Sequence, residues 1–261
     1  MRCDTTMNNH TYGYIVMKRL KNAKRNLNLD ADIVAYASHQ AIANKLKHYI
    51  LTTYFKPGIK DILNTSNLSL LITKSEIKLP SKYQSNIAQL DNYYSNCRYP
   101  SPLYEDIELH TAQTLFHSAK DIVDIINNRI ILNDIAHLKR NWDDNNANPF
   151  PANLIEKCAN LISQLEVQPF ISPTACGAIQ MEYEKENGDY LEFEVYPERI
   201  EVYQVINNIE HEETLTSSNY LKYKHAGIAQ SVEQHHGKVK VVGSIPISGI
   251  KGLEPSTKLF I

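Results

Sequence analysis

"IVAYASHQAIANKLKHYIL", Ile33 to Leu51, is the stretch on which the fold turns. Ile33, Ala37, Ala41, Leu46 and Ile50 recur close to the helical period, so one side of this segment is apolar and must be covered. Asp30 and Asp32 flank its start, where a carboxylate can accept from the free amides of a first helical turn. Lys56-Pro57-Gly58 stops this helix or the segment after it, since proline cannot continue the backbone ladder.

The same period appears on both sides. Tyr14, Met17, Leu20 and Leu27 mark an earlier helix, and Tyr83, Ile87, Leu90 and Tyr94 a later one. A fourth runs from about Glu105 to Asn127, with Ala112, Leu115, Phe116, Ala119, Ile122, Val123 and Ile126 on its apolar side. Four such stripes must face one another, and an antiparallel four-helix bundle is the simplest arrangement.

After Asn127 the pattern changes. Ile131, Ile135, Leu138 and Trp142 prolong a helical stripe into the loop "NWDDNNANPFP", and Leu154, Cys158, Leu161 and Leu165 mark a short helix. Ile179, Met181 and Tyr183 then alternate with polar residues, as do Leu191, Phe193 and Val195. Asn187-Gly188 between them suits a positive-φ hairpin turn. Ile200 to Val205 completes a three-stranded antiparallel meander packed by helices. The expected class is α+β: residues 1–12 a flexible N-terminus, 13–128 the bundle, 129–215 a small α+β domain and 216–261 a tail.

The chain has 261 residues, 43% apolar and 21% charged, with a net charge of −2, so no global field draws it to nucleic acid. Lys18, Arg19, Lys21, Lys24 and Arg25 form a local basic run that reads first as a solvated helix face. No apolar run reaches the roughly 20 residues of a membrane helix, and "MRCDTTMNNHTYGY" has no signal-peptide core. The expectation is a cytoplasmic protein with no membrane association. Cys3, Cys97, Cys158 and Cys176 are scattered, without the spacing of a zinc site or a disulfide framework, so neither metal nor cofactor is expected.

With these segments in hand, residues from about Tyr14 to Asn127 resemble the HEPN family of helical-bundle proteins. The carriers are the His-Gln-Ala step and Lys-Leu-Lys end of "IVAYASHQAIANKLKHYIL", the helix start "TSNLSLL", and "LDNYYSNCRYPSP", which closes a helix on Arg-Tyr-Pro. Asn44 stands where the family commonly has Glu, and Ser66 where it has the His of a Thr-His start. The resemblance implies a dimer that binds a nucleotide, RNA or a nucleotidyltransferase-type partner in toxin–antitoxin, defence or mobile-element settings.

RNA-cleaving members carry an Arg followed by four to six residues and a His. Here Arg98 precedes His110 across a proline-containing turn, and seven residues separate Arg129 from His137. The expected protein therefore binds without a catalytic centre of its own. A metal-independent endoribonuclease and a purely structural interaction protein are the alternatives.

Candidate ligand-binding residues are Lys45, Lys47, Tyr94, Arg98 and Tyr99. A guanidinium offers a planar donor fork to phosphate, and a tyrosine can stack on a base. Each also has a structural reading: Arg98 can bond the free carbonyls at a helix end, and lysine stems can cover an apolar rim.

Residues from about Asn133 to Thr214 resemble a small bacterial and phage domain of unassigned function with a Trp-Asp-Gly-x-x-Ala turn. Here the turn is Trp142 to Ala147, with Asp144 in the glycine position. Trp142 and Asp143 are expected to anchor that loop.

The tail resembles a translated transfer-RNA gene. Gly227 to Gln234 can be written GGC ATA GCT CAG TCG GTA GAG CAA, a D-arm sequence, and Val242 to Pro246 can be written GTC GGT TCG ATT CCG, a TΨC arm. His235 to Val239 permits an anticodon-like stem between them. On this reading roughly the last 35 to 40 residues were never selected as a fold.

Overall fold

The computed structural model describes residues 5–53, 64–96, 106–165 and 167–215, and of residues 5–11 the backbone alone. Arg98, Tyr99, the Lys56-Pro57-Gly58 stop and the tail from Thr216 lie outside the described residues. The chain divides into two compact units that part between Ile130 and Ile131.

In the first unit, α1 (Thr5–Asn26) and α2 (Ala31–Thr53) form a hairpin. Its turn is closed by Leu29 and Asp30 amides donating to the Asn26 carbonyl, and Asp30 Oδ1 accepts from Ile33 N at 2.9 Å as the N-cap of α2. Small residues on α2 (Ala35, Ala37, Ala41 and Ala43) and Ala23 on α1 are buried with Leu20, Leu46 and Ile50.

Then come α3 (Leu68–Ser75), a 3-10 turn (Ser81–Tyr83) leading into α4 (Gln84–Asn96), and the long α5 (Leu109–Ala136), which runs past the point where the units part. Leu68, Leu71, Leu90, Leu115, Ile122 and Ile126 complete this core.

The expected bundle of four helices is corrected here: the described part of the first unit also holds the two-turn α3. Eight residues are too few to show a stripe, and capping defines this helix instead. Asn67 Oδ1 accepts from Leu70 N at 2.7 Å, and Glu76 ends it in the left-handed region at φ 57°.

The second unit contains α6 (Ala152–Ile162) and five strands, β1 (Phe170–Pro173), β2 (Ile179–Glu184), β3 (Tyr190–Val195), β4 (Ile200–Ile206) and β5 (Ile209–Leu215). They form an antiparallel meander in the order β1-β2-β3-β4-β5. Ile179, Met181, Leu191, Phe193, Val195 and Val202 point inward to Leu154, Cys158, Leu161 and Ile162 of α6 and to Leu132, Ile135 and Leu138.

The three-stranded expectation is thus corrected to five, each extra strand hidden for its own reason. β1 is a four-residue edge ending on Pro173, too short to show alternation. β5 reads "IEHEETL", mostly exposed and rich in glutamate. Its signal was the turn before it: Asn207 and Asn208 have φ 52° and 62°, the positive pair a tight hairpin requires.

The register fixes what the outer face of the sheet presents. One cross-strand row reads Phe170, Glu182, Glu192, Tyr203, Glu212; the next reads Ser172, Gln180, Glu194, Glu201, Thr214; the third reads Glu184, Tyr190, Val205, Glu210.

In the loop before α6, Trp142 Nε1 donates to the Asn148 carbonyl at 3.2 Å. Asp143 Oδ1 accepts from Asn145 N and Ala147 N, and these backbone bonds hold its carboxyl below the usual range. Asp144, in the position that resembles a glycine, has φ 61°. A side chain there is strained, and Asp144→Gly should raise the stability of this unit by about 1 kcal/mol in urea unfolding. Asp144→Val should lower it, because a β-branched residue tolerates that backbone least.

Candidate functional site

His39 is fully buried on α2, and an imidazole there must find polar partners. Its Nε2 lies 3.2 Å from Asp91 Oδ1 on α4. The same carboxylate accepts from Leu68 N at 2.8 Å, Ser69 N at 3.2 Å and Ser69 Oγ at 3.1 Å. One side chain therefore joins α2, α4 and the N-terminus of α3, where free amides and the helix dipole favour an anion. Burial alone would raise the Asp91 carboxyl, but the bonds from His39, Leu68 and Ser69 outweigh it and hold it below its ordinary value. Burial keeps His39 below the usual imidazole range, against the pull of Asp91.

An aromatic row starts from this hub. Tyr94, one turn beyond Asp91, stacks on His39 with centroids 4.0 Å apart and planes 9° from parallel. Tyr36 stacks on Tyr94 at 5.7 Å, and the Arg19 guanidinium of α1 sits 5.9 Å from the Tyr36 ring centre. Arg19, Tyr36 and Tyr94 are all half-exposed, so their outer edges reach solvent. Lys47 is half-buried on the same side of α2, and its charge is felt by His39. Burial lowers the Lys47 pKa.

Lys45 lies elsewhere. Two residues from Lys47, it points about 200° away around the helix, is 8% exposed, and donates to Asn127 Oδ1 of α5 at 2.7 Å. Of the five residues singled out from sequence, Lys47 and Tyr94 therefore share a surface and Lys45 belongs to a separate seam; Arg98 and Tyr99 lie outside the described residues.

That seam between α2 and α5 is cationic. Burial, with Lys45 nearby, pushes the His48 imidazole down to about 4, and its Nδ1 has no hydrogen-bond partner. Arg129 Nε is likewise buried without a partner, and burial lowers the pKa of its guanidinium. Burial pushes the Asp124 carboxyl up to about 6.

Among the described residues no imidazole is hydrogen-bonded or ion-paired to a guanidinium. His110 is exposed at the start of α5, His137 is exposed just beyond its end, and eight residues of helix separate His137 from Arg129, about 12 Å of rise. No three His, Cys, Asp or Glu side chains converge on a metal position among the described residues, and no described helix is long and apolar enough to cross a membrane.

Sequence reading missed Asp91, Arg19 and Tyr36. Tyr36 had a signal, standing one helical turn before His39. Asp91 had none, because its contact with His39 spans 52 residues of chain.

Comparison with curated proteins and with solved structures gave no match. Residues 17–129 match the model of the HEPN domain, a span that begins within α1 and ends at Arg129 of α5. The helical unit of this chain is a HEPN-family region.

Proposed function

We propose that this unit binds a nucleotide or RNA and holds it without cutting it, in a toxin–antitoxin, defence or mobile-element setting. The observation that carries the reading is the row Arg19, Tyr36, Tyr94, His39, with Lys47 on the same side of α2. It sets two cations beside half-exposed ring edges: the cations suit phosphates, and rings suit bases. Arg98 and Tyr99, four and five residues past Tyr94, extend this ligand set. Lys45 contributes by fixing α5 against α2.

Support for holding over cutting comes from the imidazoles. General acid–base help for 2′-hydroxyl attack needs one that can exchange protons near neutral pH beside the phosphate. His39 is committed to Asp91, and His48 is neutral at that pH.

Titration calorimetry of the full chain with ATP and with a ten-nucleotide RNA tests this. Arg19→Ala combined with Lys47→Ala should weaken binding by at least tenfold and reduce its salt dependence, while Tyr203→Ala in the sheet should leave it unchanged. If wild-type protein shows neither heat nor a melting shift at millimolar ATP or RNA, the reading fails. RNA cleavage in EDTA that disappears in His110→Ala or His137→Ala would establish the endoribonuclease instead.

A further inference from the structure

A net charge near zero conceals two strongly charged surfaces. The three outer rows of the sheet comprise fourteen positions, seven of them glutamate and none lysine, arginine or histidine. The register sets Glu182 directly opposite Glu192, and Glu194 directly opposite Glu201. Like charges so placed destabilise a sheet. Gln180 and Tyr190 donate to both Glu182 and Glu192, which relieves only part of the repulsion. A face serving the sheet alone would alternate its signs.

The complement is in α1. Its 22 residues include no Asp or Glu. Lys18, Lys21 and Arg25 recur at helical spacing and are exposed, and Tyr14, one turn earlier on the same stripe, is 67% exposed. From Tyr14 to Arg25 the stripe is about 16 Å long at the helical rise. Five strands at their usual spacing span about 19 Å. Sign and length both match.

We propose that the outer sheet face is a docking surface for α1 of a second copy of this chain. The exchange is reciprocal: each copy lays its basic stripe on the other's acidic rows, and the two equal contacts close a two-fold pair. Tyr190 and Tyr203, with ring centroids 6.2 Å apart, stand among the glutamates and offer ring faces to the arriving cations. Arg19, turned toward Tyr36, takes no part, so the contact is independent of the nucleotide-binding row.

Sedimentation equilibrium of the full chain should show a dimer at about 50 mM salt that dissociates as salt approaches about 0.5 M. The variant Glu210→Lys with Glu212→Lys, and the variant Lys21→Glu with Arg25→Glu, should each weaken the dimer at least tenfold, because like then faces like. Mixed in equal amounts, the two variants should recover a heterodimer, since both contacts again pair opposite signs.

All four positions are exposed. If either reversal melts early, the glutamine versions at the same positions must still weaken the dimer. A wild-type monomer at every concentration overturns the proposal, and would also result if α1 docked on its own chain's sheet. It is equally overturned by a dimer that survives in either variant or by a mixture that stays monomeric.

Discussion

Asp91→Ala should lower the stability of the helical unit by about 3 kcal/mol in urea unfolding, or roughly 15 °C in melting temperature. The carboxylate accepts four hydrogen bonds from three elements, so its loss does more than delete one contact. It leaves a fully buried imidazole without its acceptor and the first amides of α3 without their cap. Asp91→Asn should cost less, because an amide oxygen still accepts but carries no charge toward the helix N-terminus.

The sign of the pH dependence is set by the depressed carboxyl. A carboxylate held below its unfolded value stabilises the fold above about pH 4, and that contribution disappears as pH falls through the folded value. The difference between wild type and Asp91→Ala should therefore shrink in acid. If it is the same at pH 7 and pH 3, the hub is not electrostatic.

Lys157→Met should cost the sheet unit about 2 kcal/mol. Lys157 extends from α6 and its ammonium donates to three carbonyls of the β3–β4 turn, those of Tyr196 at 2.8 Å, Pro197 at 3.2 Å and Arg199 at 3.3 Å. It thereby latches the helix to the hairpin whose strands it covers. Burial lowers the lysine's pKa, which marks a group partly removed from water. The neighbouring Glu156 is exposed, and Glu156→Ala should change stability by less than about 0.5 kcal/mol. Equal effects from the two substitutions would refute the latch.

Local repetition was the part of the fold legible in the sequence. The stripes of α1, α2, α4 and α5 are many turns long, and the alternation of β2, β3 and β4 reflects one buried face. β5 escaped because an edge strand facing water on both sides needs no apolar alternation. α3 escaped because two turns are specified by Asn67 and Asp91 more than by periodicity.

The site was legible only in pieces. Lys47 and Tyr94 could be suspected from their residue types, but their neighbours Arg19 and Tyr36 are brought to them by the α1–α2 hairpin and the packing of α4. Lys45 looked equivalent to Lys47 until the helix turned it toward Asn127. The acidic rows were invisible for the same reason: glutamates on four strands became one surface only through the register.

The central claim is that the helical unit grips nucleic acid and leaves it whole. It is tested most directly by incubating the full chain with end-labelled RNA in EDTA and monitoring, in one sample, the bound fraction and the RNA length. Saturable binding with every strand intact after hours is the predicted result. Shortened RNA, or RNA that never binds, would contradict it.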